Sequence, residues 1–395
     1  MKQDVPGPST ALTLLLASAC GLIVANIYYA QPLVGLISAS LGVPAQATGL
    51  VVTMILIGYS VGLLFVVPLG DLIETRRLVV SMLALCAIAL ACASLAPNAA
   101  AFFAAVFLVG IASSAAQVLV PFAAHLAPDA TRGRVVGDVM SGLMLGIMLS
   151  RPAASFIASV LPWNAVFGIA AILIAALAGV LAVALPHRRP RATMSYGALI
   201  ASLGGLVLTT PVLRRRMLYH ACLFAAFSIF WTVAPLLLAQ TFHLGQVGIA
   251  LFAFAGVAGA IAAPVAGRVA DRGWSRPATI AAMLAVAGAF LAMRFMATGE
   301  ATALAGLALA AIVLDFGVIA NLVLSQRAIY ALAPEHRSRL NGIFMATFFA
   351  AGALGSALGG WSFARGGWEL TTTIGLALPL VALAAFLAAR EKRLI

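Results

Sequence analysis

The 395-residue chain is 64% hydrophobic and only 9% charged, with a mean hydropathy of +1.12, a composition that excludes an ordinary soluble domain. Its formal net charge of +12 invites a nucleic-acid partner, but the cations are distributed between apolar runs rather than gathered in a patch, so none is expected. Four cysteines, Cys20, Cys86, Cys92 and Cys222, lie inside those runs without metal or redox spacing; they are expected to be free buried thiols, and no cofactor or metal is implied.

Twelve apolar runs are long enough to cross about 30 Å of hydrocarbon as helices rising about 1.5 Å per residue. They fall near 10–36, 46–70, 78–96, 99–126, 136–160, 164–185, 217–240, 247–268, 278–297, 302–331, 340–363 and 369–389. None shows the period-two alternation of a transmembrane barrel, so the expected fold is an all-α membrane protein. The first run is too long for a signal-peptide core and is expected to be retained. It contains "NIYYAQPL", residues 26–33, where polar side chains and a proline interrupt an otherwise apolar helix. By helical spacing Asn26 and Tyr29 share one face while Tyr28 and Gln31 share another. Pro32 has no N–H for the carbonyl of Tyr28, which invites a bend.

Nineteen of the 23 Lys and Arg fall in alternate loops or at the tails: Lys2; Arg76 and Arg77; Arg132 and Arg134; Arg188, Arg189, Arg191 and Arg214 to Arg216; Arg268, Arg272 and Arg276; Arg337 and Arg339; Arg390, Lys392 and Arg393. This positive-inside pattern puts both termini and the central loop in the cytoplasm of a bacterial-type inner membrane, with anionic lipid headgroups as the expected contact. Residues 186–216, basic at both ends, divide the chain into six helices (1–185) and six (217–395), and are expected to form a linker with a short interfacial helix. The halves are related. "VPLGDLIETRR" (67–77) aligns with "GRVADRGWSRP" (267–277), placing Asp71 on Asp271 and Arg76 on Arg276; "LAPDATRGRVVG" (126–137) aligns with "LAPEHRSRLNG" (332–342); Trp163 falls on Trp368 and Pro32 on Pro235. Two parallel repeats imply a binding site at their interface near the bilayer midplane, one half rocking against the other.

"GRVADRGWSR" (267–276) resembles the signature loop of the major facilitator superfamily, Gly-x-x-x-Asp-Arg-x-Gly-Arg-Arg, and the resemblance extends over the whole chain. "NIYYAQPL", "APDATRGRVVG" and the stretch from Asp315 to Gly342 resemble the drug and metabolite efflux branch, whose members exchange substrate for protons. The first-half copy of the signature departs from the pattern at Val67, Leu72 and Glu74. The resemblance implies a cytoplasmic latch in which Asp71 meets Arg132 or Arg134, and Asp271 meets Arg337 or Arg339; the alternative is that these charges only fix topology. It also implies that helices one, four, seven and ten line the cavity.

Charges at membrane depth are costly and are functional candidates by default. Asp315, about fourteen residues into the tenth helix, is the only carboxylate expected near the midplane. It is either the proton-coupling group or a permanently ionised structural residue. Arg151 lies in the outer half of the fifth helix, where it is expected to bind an anionic substrate, to pair with Asp315, or to snorkel outward. On that helix Gly142, Gly146, Ser150 and Ala154 form a small-residue stripe suited to a close helix contact, with Met140, Met144 and Met148 broadly opposite. The sequence around Pro152 resembles the fifth-helix antiporter motif but lacks its final glycines. Asn26, Tyr28, Tyr29, Gln31, Gln117, Trp231, Asn321 and Gln326 complete the cavity candidates, and Pro32, Pro152 and Pro235 are candidate hinges.

These features favour a monomeric secondary transporter, coupled to protons, that exports a small amphipathic compound or metabolite. A uniporter or importer of a small metabolite or organic anion, and a non-transporting membrane sensor, are the alternatives. No nucleophile with a base, metal cluster or phosphate-cradling loop supports an enzyme.

Overall fold

In the computed structural model, residues 8–128, 131–187, 194–332 and 337–389 are described; Lys2, Arg188, Arg189, Arg191, Arg390, Lys392, Arg393 and the side chain of Arg337 lie outside them. Every regular element among the described residues is helical. Lipid offers no partner for a free backbone N–H or C=O, so each apolar run satisfies its own backbone by coiling.

The passes follow in chain order. The first, α1, is the pair Thr10–Ala25 and Gln31–Leu41, broken at residues 26–30. Then come α2 (Ala45–Asp71), α3 (Thr75–Ser94), α4 (Ala99–Leu126), α5 (Arg132–Val160) and α6 (Trp163–Ala184). After the linker helix Tyr196–Thr209 follow α7 (Pro211–Gln240), α8 (Gln246–Asp271), α9 (Ser275–Met293) and α10 (Ala301–Tyr330). The element Arg337–Ala388 is two helices, α11 (337–365) and α12 (368–388), separated where Gly366 and Gly367 leave helical geometry. Gly367 has φ +59°, a conformation that glycine adopts without steric cost. The result is twelve passes in two related six-helix bundles. Side chains such as Leu14, Ile88, Val183 and Leu309 are exposed, forming the apolar exterior that lipid covers.

Within the first bundle α5 lies against α1 through its small-residue stripe. A Cβ placed on Gly142 would stand 2.3 Å from the carbonyl oxygen of Ala17, and one on Gly146 2.2 Å from that of Gly21. Backbones this close are possible only with no side chain between them. The second bundle repeats the device between α7 and α11, where a Cβ on Gly355 would stand 2.3 Å from the carbonyl oxygen of Ala225. These contacts hold Arg151 of α5 and Trp231 of α7 at fixed heights, each nine residues before the end of its helix.

The two bundles meet along α2 and α11. Ser356 Oγ donates to the carbonyl of Gly49 (2.9 Å), Thr53 Oγ1 to that of Ala353 (2.9 Å) and Ser60 Oγ to that of Ala346 (2.7 Å). Ser155 of α5 donates to Gln246 of α8 at 3.3 Å. Gly49, Ser155 and Gln246 lie at the ends away from the basic loops, so the molecule is closed on that face. On the basic face the linker helix touches both bundles: Tyr196 donates to the carbonyl of Phe65 (2.8 Å), and Ser202 accepts from Arg339 (3.2 Å).

One expectation is corrected. All four cysteines are free, but Cys92 is exposed near the end of α3, whereas Cys20, Cys86 and Cys222 are buried. An apolar run does not say which of its faces looks outward to lipid.

Candidate functional site

The break in α1 builds one wall of the site. Pro32 donates no hydrogen bond, and the carbonyl of Tyr28 accepts instead from Gln31 N at 3.2 Å; Tyr28 N reaches Ala25 O at 3.0 Å and Leu33 N reaches Ala30 O at 3.1 Å. These are tight i to i+3 turns, by which the backbone stays satisfied through a proline bend. Asn26 donates to the carbonyls of Leu22 and Ile23 and approaches Cys86 Sγ of α3, so it faces the interior of its own bundle. Tyr28 and Gln31 face the other way, toward α5. Tyr29 is half-buried and packs against the core.

Arg151 is 4% exposed. Its Nε donates to Gln31 Oε1 at 2.6 Å. The guanidinium carbon stands 4.5 Å from the centroid of the Trp231 ring, 4.9 Å from that of Tyr28 and 5.4 Å from that of Phe227. Cation–π attraction of this kind is worth about 0.5–2 kcal/mol per favourable face. Nη2 is buried and bonded to nothing.

Trp231 also serves the carboxylate. Its indole N–H donates to Asp315 Oδ1 at 2.9 Å, and Asp315 is 2% exposed. No ion pair joins Asp315 to Arg151. The two are nonetheless neighbours: a Cβ on Gly256 of α8 would stand 3.1 Å from Asp315 Oδ2, 3.2 Å from Trp231 Cζ2 and 3.5 Å from Arg151 Nη1. Gly256 thus leaves the space into which a cation from one bundle and an anion from the other both reach. Above them a cavity of about 10 Å³ is lined by Pro32 and Pro235 together with Arg151 and Trp231. α5 and α7 run unbroken through Pro152 and Pro235, so of the three candidate hinges Pro32 alone sits at a helix break.

The other cavity candidates form separate groups. Gln117 donates to the Tyr59 hydroxyl at 3.2 Å and lines a cavity of about 230 Å³ on the basic face, with Asp71, His125 and Arg339. Asn321 bonds to His220 Nδ1 at 3.1 Å, and His220 stacks on Phe344 with centroids 5.4 Å apart. Gln326 donates to Asn341 at 3.1 Å, and the Tyr330 hydroxyl donates to the same oxygen at 2.8 Å. Near the basic loops Asp271 is paired with Arg327, and Arg132 Nε donates to the carbonyl of Ala124 at 3.0 Å. Asp71 and Arg339 line one cavity from opposite bundles, and Arg134 is exposed.

Sequence reasoning missed Gly256 and His220. A histidine in the apolar run of α7 was a visible signal; Gly256 lies in "AFAGVAGAIAAP", where nothing marks one small residue above its neighbours.

The model of the Major Facilitator Superfamily matches residues 14–322 and 216–394. The chain belongs to the major facilitator superfamily. Its relatives in the superfamily include the uncharacterized transporter YgaY of Escherichia coli O157:H7, 39% identical over 374 residues and 94% of each chain. The probable transporter SCO4007 of Streptomyces coelicolor is 33% identical over 92% of this chain and 84% of its own. Among solved structures, that of the nucleoside transporter NupG superposes with a TM-score of 0.79 over 96% of this chain and 99% of that one, at 15% identity. The protein is therefore a multi-pass membrane transporter of this superfamily, not an enzyme.

Proposed function

We propose that the chain is a secondary transporter coupled to protons through Asp315. The observation that carries this reading is a carboxylate buried where the two bundles meet, holding one hydrogen bond from Trp231 and no ion pair with the adjacent Arg151. A group so placed exchanges its proton with whichever face the rocking bundles open, and its charge state decides how strongly Arg151 draws the bundles together. The described state is closed on the face away from the basic loops, which the positive-inside rule makes the outer face; both termini are then cytoplasmic and the membrane is the bacterial inner membrane. In this reading residues 1–185 and 217–395 are the rocking units and 186–216 the linker. The chain works as a monomer surrounded by anionic lipid. Asp71, Arg132 and Arg134 in one unit, and Asp271, Arg337 and Arg339 in the other, make and break the cytoplasmic latch. Tyr28, Gln31, Arg151, Trp231 and Asp315 form the centre of the substrate site, with Asn26, Tyr29, Gln117, Asn321 and Gln326 in its surroundings.

The efflux resemblance implies export of a small amphipathic compound in exchange for protons, one of the two signs that this coupling can take. A second reading, movement of an organic anion, is favoured by the unbonded Nη2 of Arg151. Transport of a solute panel into vesicles under imposed pH gradients of either sign tests coupling and direction together. Asp315→Asn keeps an oxygen to accept from Trp231 and removes the charge, so it should leave transport insensitive to the gradient. Gradient-driven transport that persists unchanged in Asp315→Asn refutes the coupling.

A further inference from the structure

Arg151 is a buried cation with no carboxylate among the described residues in ion-pair contact. Three aromatic rings flank it, Gln31 takes one N–H, and Nη2 meets no acceptor at all. Aromatic faces and a neutral amide offset only a fraction of the cost of burying a guanidinium, which is ordinarily met by a carboxylate or phosphate oxygen. The nearest carboxylate, Asp315, is bonded to Trp231 and not to Arg151. We infer that the transported compound carries an anionic group, a carboxylate in the simplest case, that binds Arg151 through Nη1 and Nη2, while its apolar body lies along the rings of Phe227 and Trp231. The fork of two guanidinium N–H groups matches the two oxygens of a carboxylate, and aromatic walls accept an apolar body.

The same geometry fixes the sign of coupling. Cargo and Asp315 are two anions that compete for one cation. In the empty site the ionised Asp315, held by Trp231, and Arg151 attract each other across the space beside Gly256. A cargo anion seated on Arg151 cancels that attraction, and the carboxylate, now beside a second negative charge, takes up a proton from solvent on the open side. One anion and one proton enter, so the net charge of the site is unchanged. The titratable groups facing Asp315 are Arg151 from α5 and Tyr28 from α1. α7 presents Trp231 and α8 presents Gly256, while the α9 residues packed on neighbouring Gly317 are Ala282, Ala285 and Val286. Proton and cargo therefore move together, the opposite of the exchange implied by the efflux resemblance. The anion site stands independently of proton coupling; only the sign of coupling rests on Asp315 being the proton carrier.

The test uses the purified full-length chain and three small acids, benzoate, hexanoate and indole-3-acetate, each against its primary amide, with the melting temperature and Trp fluorescence as readouts. At least one acid should raise the melting temperature in a saturable way while its amide does not. Arg151→Gln should weaken that binding at least about 30-fold, as loss of one partner of a buried charge pair does. Arg151→Lys, which keeps the charge without the fork, should restore some of it and supplies the result if the Gln variant does not fold. Binding should tighten by up to about tenfold per unit fall in pH, the slope for uptake of one proton, and Asp315→Asn should bind the acid without that slope. Amides that bind as well as acids, the absence of stabilisation by all three acids, or undiminished binding in both Arg151 variants overturns the inference. An acid preference that persists while Asp315→Asn keeps the pH slope retains the anion site and refutes Asp315 as proton carrier.

Discussion

Gly256→Ala should shift the balance between facing states without unfolding the protein. The added methyl would stand 3.1 Å from Asp315 Oδ2, 3.2 Å from Trp231 Cζ2 and 3.5 Å from Arg151 Nη1. None of these neighbours yields freely, because Trp231 is bonded to Asp315 at 2.9 Å and Arg151 to Gln31 at 2.6 Å. Inserting a methyl into such a space costs about 1–3 kcal/mol. Replacing glycine with alanine in a helical segment returns up to about 1 kcal/mol, which offsets part of that cost and keeps the protein folded. The two tight contacts are with residues of the same bundle, but in the described state Trp231 is backed by Arg151 of the other bundle at 4.5 Å, so the ring gains room to yield only when the bundles part. Relief of about 1 kcal/mol of that strain on separation moves the ratio of the two states by roughly 5-fold. Cross-linking of Ser155→Cys with Gln246→Cys by a short bis-methanethiosulfonate reagent, at positions whose native side chains are bonded at 3.3 Å, reports closure of that face. With the four native cysteines replaced, the trapped fraction should fall when Gly256→Ala is added. An unchanged trapped fraction with normal transport would refute the assignment of Gly256 as the point where the charged pair is held apart.

Further outcomes are expected elsewhere. Gly142→Val, whose Cβ meets the carbonyl oxygen of Ala17 at 2.3 Å, should abolish monodisperse protein on size exclusion, while Gly137→Ala, with no atom within 4 Å of its Cβ, should be tolerated. Asp271→Asn breaks a pair whose side chains are 68% and 50% exposed, so its stability effect should stay below about 1 kcal/mol; a large fall in transport with an unchanged melting temperature would then mark a role in the latch. A maleimide should label Cys92 in the folded protein and reach Cys20 and Cys86 only on unfolding, a pattern read directly by mass spectrometry.

The passes were legible because apolar runs of this length are rarely needed outside a bilayer, and the boundaries of α4, α6 and α10 agree with expectation to within a residue or so. Arg151 and Asp315 were legible for the same reason: a charge in hydrocarbon is conspicuous. Helical spacing also separated Asn26 from Tyr28 and Gln31. The difficulty lay in direction. The break after Ala25 turns the chain out of the 3.6-residue repeat, so spacing cannot say which set faces Arg151. Trp231 was among the cavity candidates, but its two simultaneous partners, Asp315 and Arg151, come from helices remote in sequence. Gly256 matters through the side chain it lacks, and a missing atom leaves no mark in a run of glycine and alanine. The first-helix proline was expected to leave the Tyr28 carbonyl free; the tightened turn supplies Gln31 N instead, a local adjustment visible only in three dimensions.

The seam between α2 and α11 is fastened by serine and threonine hydroxyls on backbone carbonyls, at Gly49, Ala353 and Ala346. Such bonds are worth about 0.6 kcal/mol each in membrane proteins, so each is no stronger than thermal energy, and the three, about 2 kcal/mol together, can open in succession like a zip. They also carry no formal charge. The membrane potential does about 2.3 kcal/mol of work per charge per 100 mV, and on this seam it has nothing to act upon. The opening of the outer seam is therefore electrically silent, and co-transport of an anion with a proton would leave the Arg151 and Asp315 centre without net charge as well.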